Sequence, residues 1–205
     1  MNLKGLGKVV ANMGFLLQIT GLLLILPVAI GLQNGELQSV ASLITTCFIA
    51  FGVGFVFNAF AQRKKLDERT SLWLMLLTFT VIPLLLMIPY VWNNVFNSTN
   101  LIDLFSNSYF EAISGFTTTG FSFVPNPALL PSSLLFYRSL VEFIGGVGFI
   151  YILVAFLYSK QDINEFCETF GIEKIGGNLK TLLLIVMAVY TLFILIFTAI
   201  FYYTY

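Results

Sequence analysis

Histidine is absent from the 205 residues, and cysteine occurs only at Cys47 and Cys167. Imidazole and thiolate are the common ligands of transition metals, and imidazole is the commonest general base, so a transition-metal centre and histidine-dependent acid–base catalysis are both disfavoured. Charge is scarce as well. Ten Lys and Arg balance ten Asp and Glu, and charged residues make up 10% of the chain, while 58% of residues are hydrophobic and 16% aromatic. That composition excludes an ordinary soluble domain and points to an all-α integral membrane protein in contact with lipid. Glu111, Arg138 and Glu142 are the only charged residues expected at membrane depth. Three such groups give enzymatic chemistry few candidates, and no enzyme activity, cofactor or nucleic-acid partner is expected.

A helix crossing a hydrocarbon core needs about 20 apolar residues at 1.5 Å rise each. Five stretches reach that length, at residues 13–32, 40–61, 72–92, 133–158 and 181–203, with a shorter helical candidate at 106–116. Lys4 and Lys8 before the first span fit a cleaved signal peptide, but the apolar run is long for one and no small-residue cleavage pattern follows it. The basic residues set the orientation. Lys4 and Lys8 precede the first span, Arg63, Lys64, Lys65 and Arg69 lie between the second and third, and Lys160, Lys174 and Lys180 lie between the last two. The positive-inside rule puts these segments, and the N-terminus, in the cytoplasm, with Arg138 the one outward basic residue. Cys47 and Cys167 then lie apart, and no disulfide is expected. Tyr90 and Trp92 mark the outer end of the third span and Trp73 its inner end, as an interfacial aromatic belt would.

Between the third and fourth spans the chain reads Ser114-Gly115-Phe116-Thr117-Thr118-Thr119-Gly120-Phe121. The topology makes the short helix before it enter and leave from the outer side as a re-entrant segment. Eleven residues reach about 17 Å, so the helix would end near mid-membrane, where irregular backbone survives only in protein or beside water. A helix C-terminus carries negative partial charge and favours a cation, carbonyls of extended residues can replace an ion's hydration shell, and glycine opens backbone geometry closed to other residues. Potassium, which dehydrates readily, suits this chemistry. A threonine-rich outer loop is the plain alternative, and the apolar helical lead-in argues against it. Ser106 or Ser108 could cap the helix, and Ser108-Tyr109-Phe110-Glu111 has capping-box spacing. Glu111 is otherwise free to face the pore or to pair with Arg138.

Arg138 and Glu142, four residues apart on one helix face, can neutralise each other. Two readings stand: the pair braces the loop from behind, through Glu111, or it snorkels to the outer interface. Gly145, Gly146 and Gly148 remove side chains where another backbone approaches, a packing device in membranes. Pro27, Pro83 and Pro89 are expected to bend their helices.

The combination of Phe110-Glu111-Ala112-Ile113-Ser114-Gly115-Phe116-Thr117-Thr118-Thr119-Gly120 with Phe136-Tyr137-Arg138 and Gly145-Gly146-Val147-Gly148 closely resembles the Trk/Ktr/HKT superfamily of potassium transporters, and its Trk-type membrane subunits most. In that family four membrane–pore-loop–membrane repeats surround one pore, and each loop supplies one filter glycine. The resemblance implies five membrane helices plus a re-entrant pore helix and filter loop, forming one complete repeat. Thr117, Thr118, Thr119 and Gly120 would coordinate potassium through backbone carbonyls, with Phe121 at the edge of the filter and Glu111, Arg138 and Glu142 in support. It divides the chain into an N-terminal end with an extra hairpin (1–66), the first pore repeat (67–159), a cytoplasmic linker (160–180) and the first helix of a second repeat (181–205). Asp67-Glu68-Arg69-Thr70-Ser71 departs from the family's usual entry to that repeat, and Glu142 stands where an uncharged amide is common.

One loop cannot enclose a four-loop pore. The chain is therefore expected to work with further pore repeats, as a fragment or split-gene product, with a homotetramer as the competing assembly. The resemblance also implies a plasma-membrane location, dimers of complete subunits and a cytoplasmic nucleotide-binding regulatory ring. A non-conducting scaffold or assembly fragment derived from such a transporter is the alternative function.

Overall fold

The computed structural model describes residues 3–60, 68–157 and 179–204. The basic cluster Arg63, Lys64 and Lys65, the linker residues Lys160 and Lys174, and Cys167 lie outside the described residues. Within them the regular structure is helical: α1 (Leu3–Leu23), α2 (Ile25–Gln33), α3 (Leu37–Phe60), α4 (Glu68–Leu86), α5 (Ile88–Trp92), α6 (Leu101–Phe116), a short 3-10 turn (Pro127–Leu129), α7 (Ser132–Leu157) and α8 (Leu179–Thr204). Among the described residues five helical stretches are long and apolar enough to cross a membrane: Gly5–Gln33, Leu37–Ala59, Thr70–Trp92, Ser132–Ile150 and Met187–Thr204. The protein is thus a multi-pass membrane protein whose described residues are all-helical in their regular structure. The first stretch starts earlier than its apolar run, because the helix already covers Leu3 to Asn12 ahead of that run.

The chain forms two compact units, residues 1–149 and 150–205. In the first, α1 and α3 cross where glycine faces glycine. A Cβ added at Gly54 would stand 2.7 Å from the Gly14 carbonyl oxygen, and one at Gly14 would stand 2.8 Å from that of Gly54. So close an approach relies on dispersion and interhelical hydrogen bonding, which is how helices associate in lipid. Asn58 Nδ2 donates to Gln18 Oε1 at 3.0 Å beside this crossing, and Cys47 Sγ donates to the Gly21 carbonyl at 3.1 Å further along the pair. Leu17, Leu24, Leu43, Ile82 and Leu86 fill the buried apolar core of this unit. In the second unit α8 exposes an apolar surface that includes Leu192, Leu195 and Phe201.

Two of the three prolines follow helix breaks. Helix α1 gives way to α2 at Leu24, three residues before Pro27, and α4 gives way to α5 at Met87, two residues before Pro89; Pro83 lies inside α4. Pro89 has no N–H, and the next donor, Tyr90 N, turns to the Met87 carbonyl at 3.1 Å. That change withdraws the helical donor of the Leu86 carbonyl, and the Tyr137 hydroxyl of α7 replaces it at 2.5 Å. Tyr90, expected in an interfacial belt, is instead 1% exposed and packs on Tyr137 with ring centroids 5.5 Å apart. Trp73 and Trp92 remain half-exposed, as belt residues would.

Helix α2 ends in a Schellman motif: Glu36 N donates to the Gly31 carbonyl at 2.9 Å and Gly35 N to that of Leu32 at 3.3 Å, with Gly35 at φ 71°. The motif leaves Glu36 at the start of α3 with its side chain directed to the start of α7. Its carboxylate accepts from Ser132 N at 2.8 Å, Ser133 N at 2.9 Å and Ser133 Oγ at 2.5 Å. The first N–H groups of a helix have no partner within it, and here a residue 97 positions away supplies one.

Candidate functional site

Helix α6 starts at Leu101 rather than at 106, and its 16 residues span about 24 Å. The cap is Asn100, whose side-chain oxygen accepts from Ile102 N at 3.0 Å; neither Ser106 nor Ser108 serves. An asparagine in extended backbone can satisfy an early helix N–H directly, so the added turn is stable. Ser108 is fully buried, and its hydroxyl has no hydrogen-bond partner among the described residues. Leu104, Ser108, Ala112 and Phe116 recur every four residues on the buried face.

The C-terminus of α6 repeats the geometry that ends α2. Thr119 N donates to the Ser114 carbonyl and Thr118 N to that of Gly115, both at 2.9 Å, while Thr117 N donates to Ile113 at 2.8 Å. This is again a Schellman motif, with Thr118 at φ 57° in the position glycine usually takes. A β-branched residue held there costs about 1–2 kcal/mol. Strain of this kind is concentrated at functional sites. Gly120 follows at φ 76°, where lack of a Cβ makes the turn inexpensive.

The motif takes up the carbonyls of residues 113–115. Among the described residues no hydrogen bond reaches the carbonyls of Thr117, Thr118, Thr119 or Gly120, and all four residues are exposed. Thr117 Oγ1 donates to the Ile113 carbonyl at 2.8 Å and lies 2.8 Å from Thr119 Oγ1. With the Thr117 proton engaged, the proton between the two hydroxyls comes from Thr119. The Phe121 carbonyl differs from the four before it, since it accepts from Ser114 Oγ at 2.7 Å.

Behind the loop, Glu111 of α6 and Arg138 of α7 form an ion pair at 2.7 Å, with side chains 4% and 19% exposed. Arg138 therefore reaches across to Glu111 instead of down its own helix to Glu142. Ser122 joins the pair. Its hydroxyl donates to both Glu111 oxygens at 3.0 Å and accepts from Arg138 at 3.0 Å and Val124 N at 3.1 Å. Phe123 N adds a bond to Glu111 Oε2 at 3.2 Å. Every hydrogen-bonding position of the Ser122 hydroxyl is used. Glu142 lies half-buried one turn along α7, beside Gly115: a Cβ built there would stand 3.8 Å from Glu142 Cγ.

The three α7 glycines differ in their surroundings. A Cβ on Gly145 would overlap the Phe116 carbonyl oxygen and lie 2.6 Å from its carbonyl carbon. The last turn of α6 thus rests directly on the α7 backbone. Gly146 is half-buried, and Gly148 has open space beside it. Next to this contact is a cavity of about 290 Å³ lined by Met75, Phe79, Phe116, Thr117, Thr118, Gly145 and Phe149. Phe79 packs on Phe116 and Phe149 with ring centroids 5.2 and 6.0 Å apart.

Sequence reasoning had not singled out Asn100, Ser114, Ser122 or Glu36 as site or clamp residues. Ser114 was visible inside the Thr/Gly motif and Ser122 two residues beyond its glycine, but serine carries little information until its neighbours in space are known.

The chain is 28% identical over 164 residues to an uncharacterized cation transporter of Methanocaldococcus jannaschii, covering 77% of this chain and 32% of that protein. It is 31% identical over 114 residues to the Trk system potassium uptake protein TrkH of Salmonella typhimurium, covering 55% and 23%. Beside that cation transporter, its curated homologues are Trk potassium uptake proteins. TrkG of Escherichia coli is another, 29% identical over 152 residues, covering 73% of this chain and 30% of TrkG. The chain spans about a quarter to a third of the length of these relatives. No family model matches it. The Trk homologues are transporters rather than enzymes, and their names agree with the potassium transport that the resemblance implies.

Proposed function

We propose that the chain takes part in potassium uptake across the plasma membrane as the N-terminal part of a four-repeat Trk-type pore, supplying the first filter segment. In this reading α1–α3 form an extra hairpin, α4 to α7 form the first pore repeat with α6 as its re-entrant helix, and α8 opens the second. The N-terminus is cytoplasmic. Further pore repeats complete the conduction path, complete subunits dimerise, and a cytoplasmic nucleotide-binding ring regulates them.

The observation that carries the reading is a run of four exposed residues, 117–120, at a helix C-terminus, whose carbonyls accept no hydrogen bond among the described residues. Unpaired carbonyls are costly at membrane depth unless water or an ion satisfies them. The negative end of α6 favours a cation. Potassium dehydrates at lower cost than sodium, so uncharged carbonyls suffice. At about 24 Å, α6 is shorter than a typical hydrocarbon core of about 30 Å, which suits re-entry better than crossing.

Potassium-dependent growth of uptake-deficient cells tests this. The chain co-expressed with pore-completing repeats of a Trk homologue is expected to restore growth in low potassium, and Gly120→Ser is expected to lower K⁺/Na⁺ discrimination of the restored uptake. Unchanged discrimination would sink the filter assignment. A single loop cannot close a four-loop pore, which favours a non-conducting scaffold as the second reading; absence of rescue in every combination would select it.

A further inference from the structure

We infer that Ser114 and Ser122 are positioning residues that set ion selectivity, by holding the limb after Gly120 and turning the Phe121 carbonyl away from the ion path. The inference rests on the filter reading of the same loop and names residues to which the ion itself does not bind.

The limb from Phe121 to Val124 has no backbone ladder. It is held by Ser114 Oγ on the Phe121 carbonyl at 2.7 Å, by Ser122 Oγ on both Glu111 oxygens at 3.0 Å, and by Phe123 N on Glu111 Oε2 at 3.2 Å. Beyond these bonds it has the Arg138 donation to Ser122 Oγ at 3.0 Å, the Phe110–Phe123 ring contact at 4.5 Å and the buried Val124 side chain. Phe121, Ser122 and Phe123 are otherwise exposed. Both serines thus tie an exposed limb to helices that are themselves packed: Ser114 on α6 directly, Ser122 through the Glu111–Arg138 pair.

Selectivity depends on how many carbonyl dipoles surround the ion and on how far they can move. With Ser114 bonded to it, the Phe121 carbonyl faces α6, and the ligand set stops at residue 120. Loss of that hydroxyl frees a fifth carbonyl next to the filter. Loss of the Ser122 hydroxyl leaves the Glu111–Arg138 contact in place but ties it to the limb through Phe123 N alone, so the turn at Gly120 is held more loosely on that side. In both cases a smaller cation, which needs its ligands drawn inward, gains relative to potassium.

The test measures K⁺/Na⁺ discrimination of uptake in the complete transporter carrying this chain, at matched amounts of protein in the membrane. Ser114→Ala is expected to lower discrimination about threefold to tenfold, the worth of one hydrogen bond, and Ser114→Thr, which keeps the hydroxyl, to restore it. Ser122→Ala is expected to act in the same direction. Wild-type discrimination in Ser114→Ala overturns the inference, as does an equal loss in Ser114→Thr, which would indicate a packing role. Should Ser114→Ala fail to insert, Ser122→Ala decides alone, because that side chain lies on the exposed limb, and an unchanged ratio there overturns the inference. Gly120→Ser runs in parallel. A drop in that variant with both serine variants unchanged leaves the filter reading standing and removes the positioning role, whereas no change in any of them removes the filter reading itself.

Discussion

Gly145 and Gly120 are both glycines at the loop, yet they are required for different reasons. Gly120 has open space around it and a φ of 76°, so its need is conformational. Gly145 has ordinary helical backbone, and its need is steric, since an added Cβ would strike the Phe116 carbonyl. The colliding atoms are backbone and cannot rotate away. Gly145→Ala is therefore expected to destabilise the fold at or beyond the upper end of the about 1–3 kcal/mol typical of overpacking. The same substitution at Gly148 is expected to be nearly silent, because nothing lies within 4 Å of the added atom. Thermal unfolding of the two variants in detergent separates them. Three glycines in four residues read alike in the sequence, and only the position of α6 against α7 distinguishes the one that bears the contact.

At the scale of elements, two helices end in the same motif with different residues in the left-handed position, Gly35 after α2 and Thr118 after α6. The inexpensive choice appears in the connecting turn and the strained one in the loop read as a filter. The α2 turn has its own task, holding Glu36 against the start of α7. Burial acts to raise the Glu36 pKa, but hydrogen bonds from the Ser133 hydroxyl and N–H, Ser132 N and Asn34 outweigh it, and the net shift is downward. A folded-state pKa below the unfolded value contributes stability that is complete above the ordinary glutamate range, near about 4.3, and is lost as pH falls through the lowered folded value. Melting temperatures of the wild type should decline over that acid window. Glu36→Gln, which carries no titrating carboxyl, should lie lower at neutral pH and show a shallower decline. Parallel curves for the two proteins would exclude the clamp as an acid-sensitive contact.

For the whole molecule, the proposed orientation makes a prediction independent of ion transport. In a background lacking Cys47 and Cys167, a cysteine placed at Asn97, in the turn between α5 and α6, is expected to react with a membrane-impermeant thiol reagent in intact cells. One placed at Lys64 is expected to react only after permeabilisation. The reverse pattern would invert the topology and put the filter loop on the other face. The membrane character of the chain and its five long apolar stretches were legible in the sequence, because hydrocarbon imposes a length and an apolarity that composition must meet residue by residue. The site was legible in part, since the Thr/Gly loop is a local run of consecutive residues. The start of α6 was missed because a cap depends on one side chain meeting one N–H, and several polar residues near that end could each have served. The partner of Arg138 was left between two carboxylates: Glu142 is near in sequence, while Glu111 becomes near only when α6 packs on Gly145. Sequence alone determined that this chain lies in a membrane and carries a hydroxyl-rich loop between apolar helices, since those properties sum over neighbouring residues. Tertiary structure alone decided which carbonyls stay unpaired, which serines hold the loop and which glutamate caps α7, because each depends on atoms brought together from distant parts of the chain.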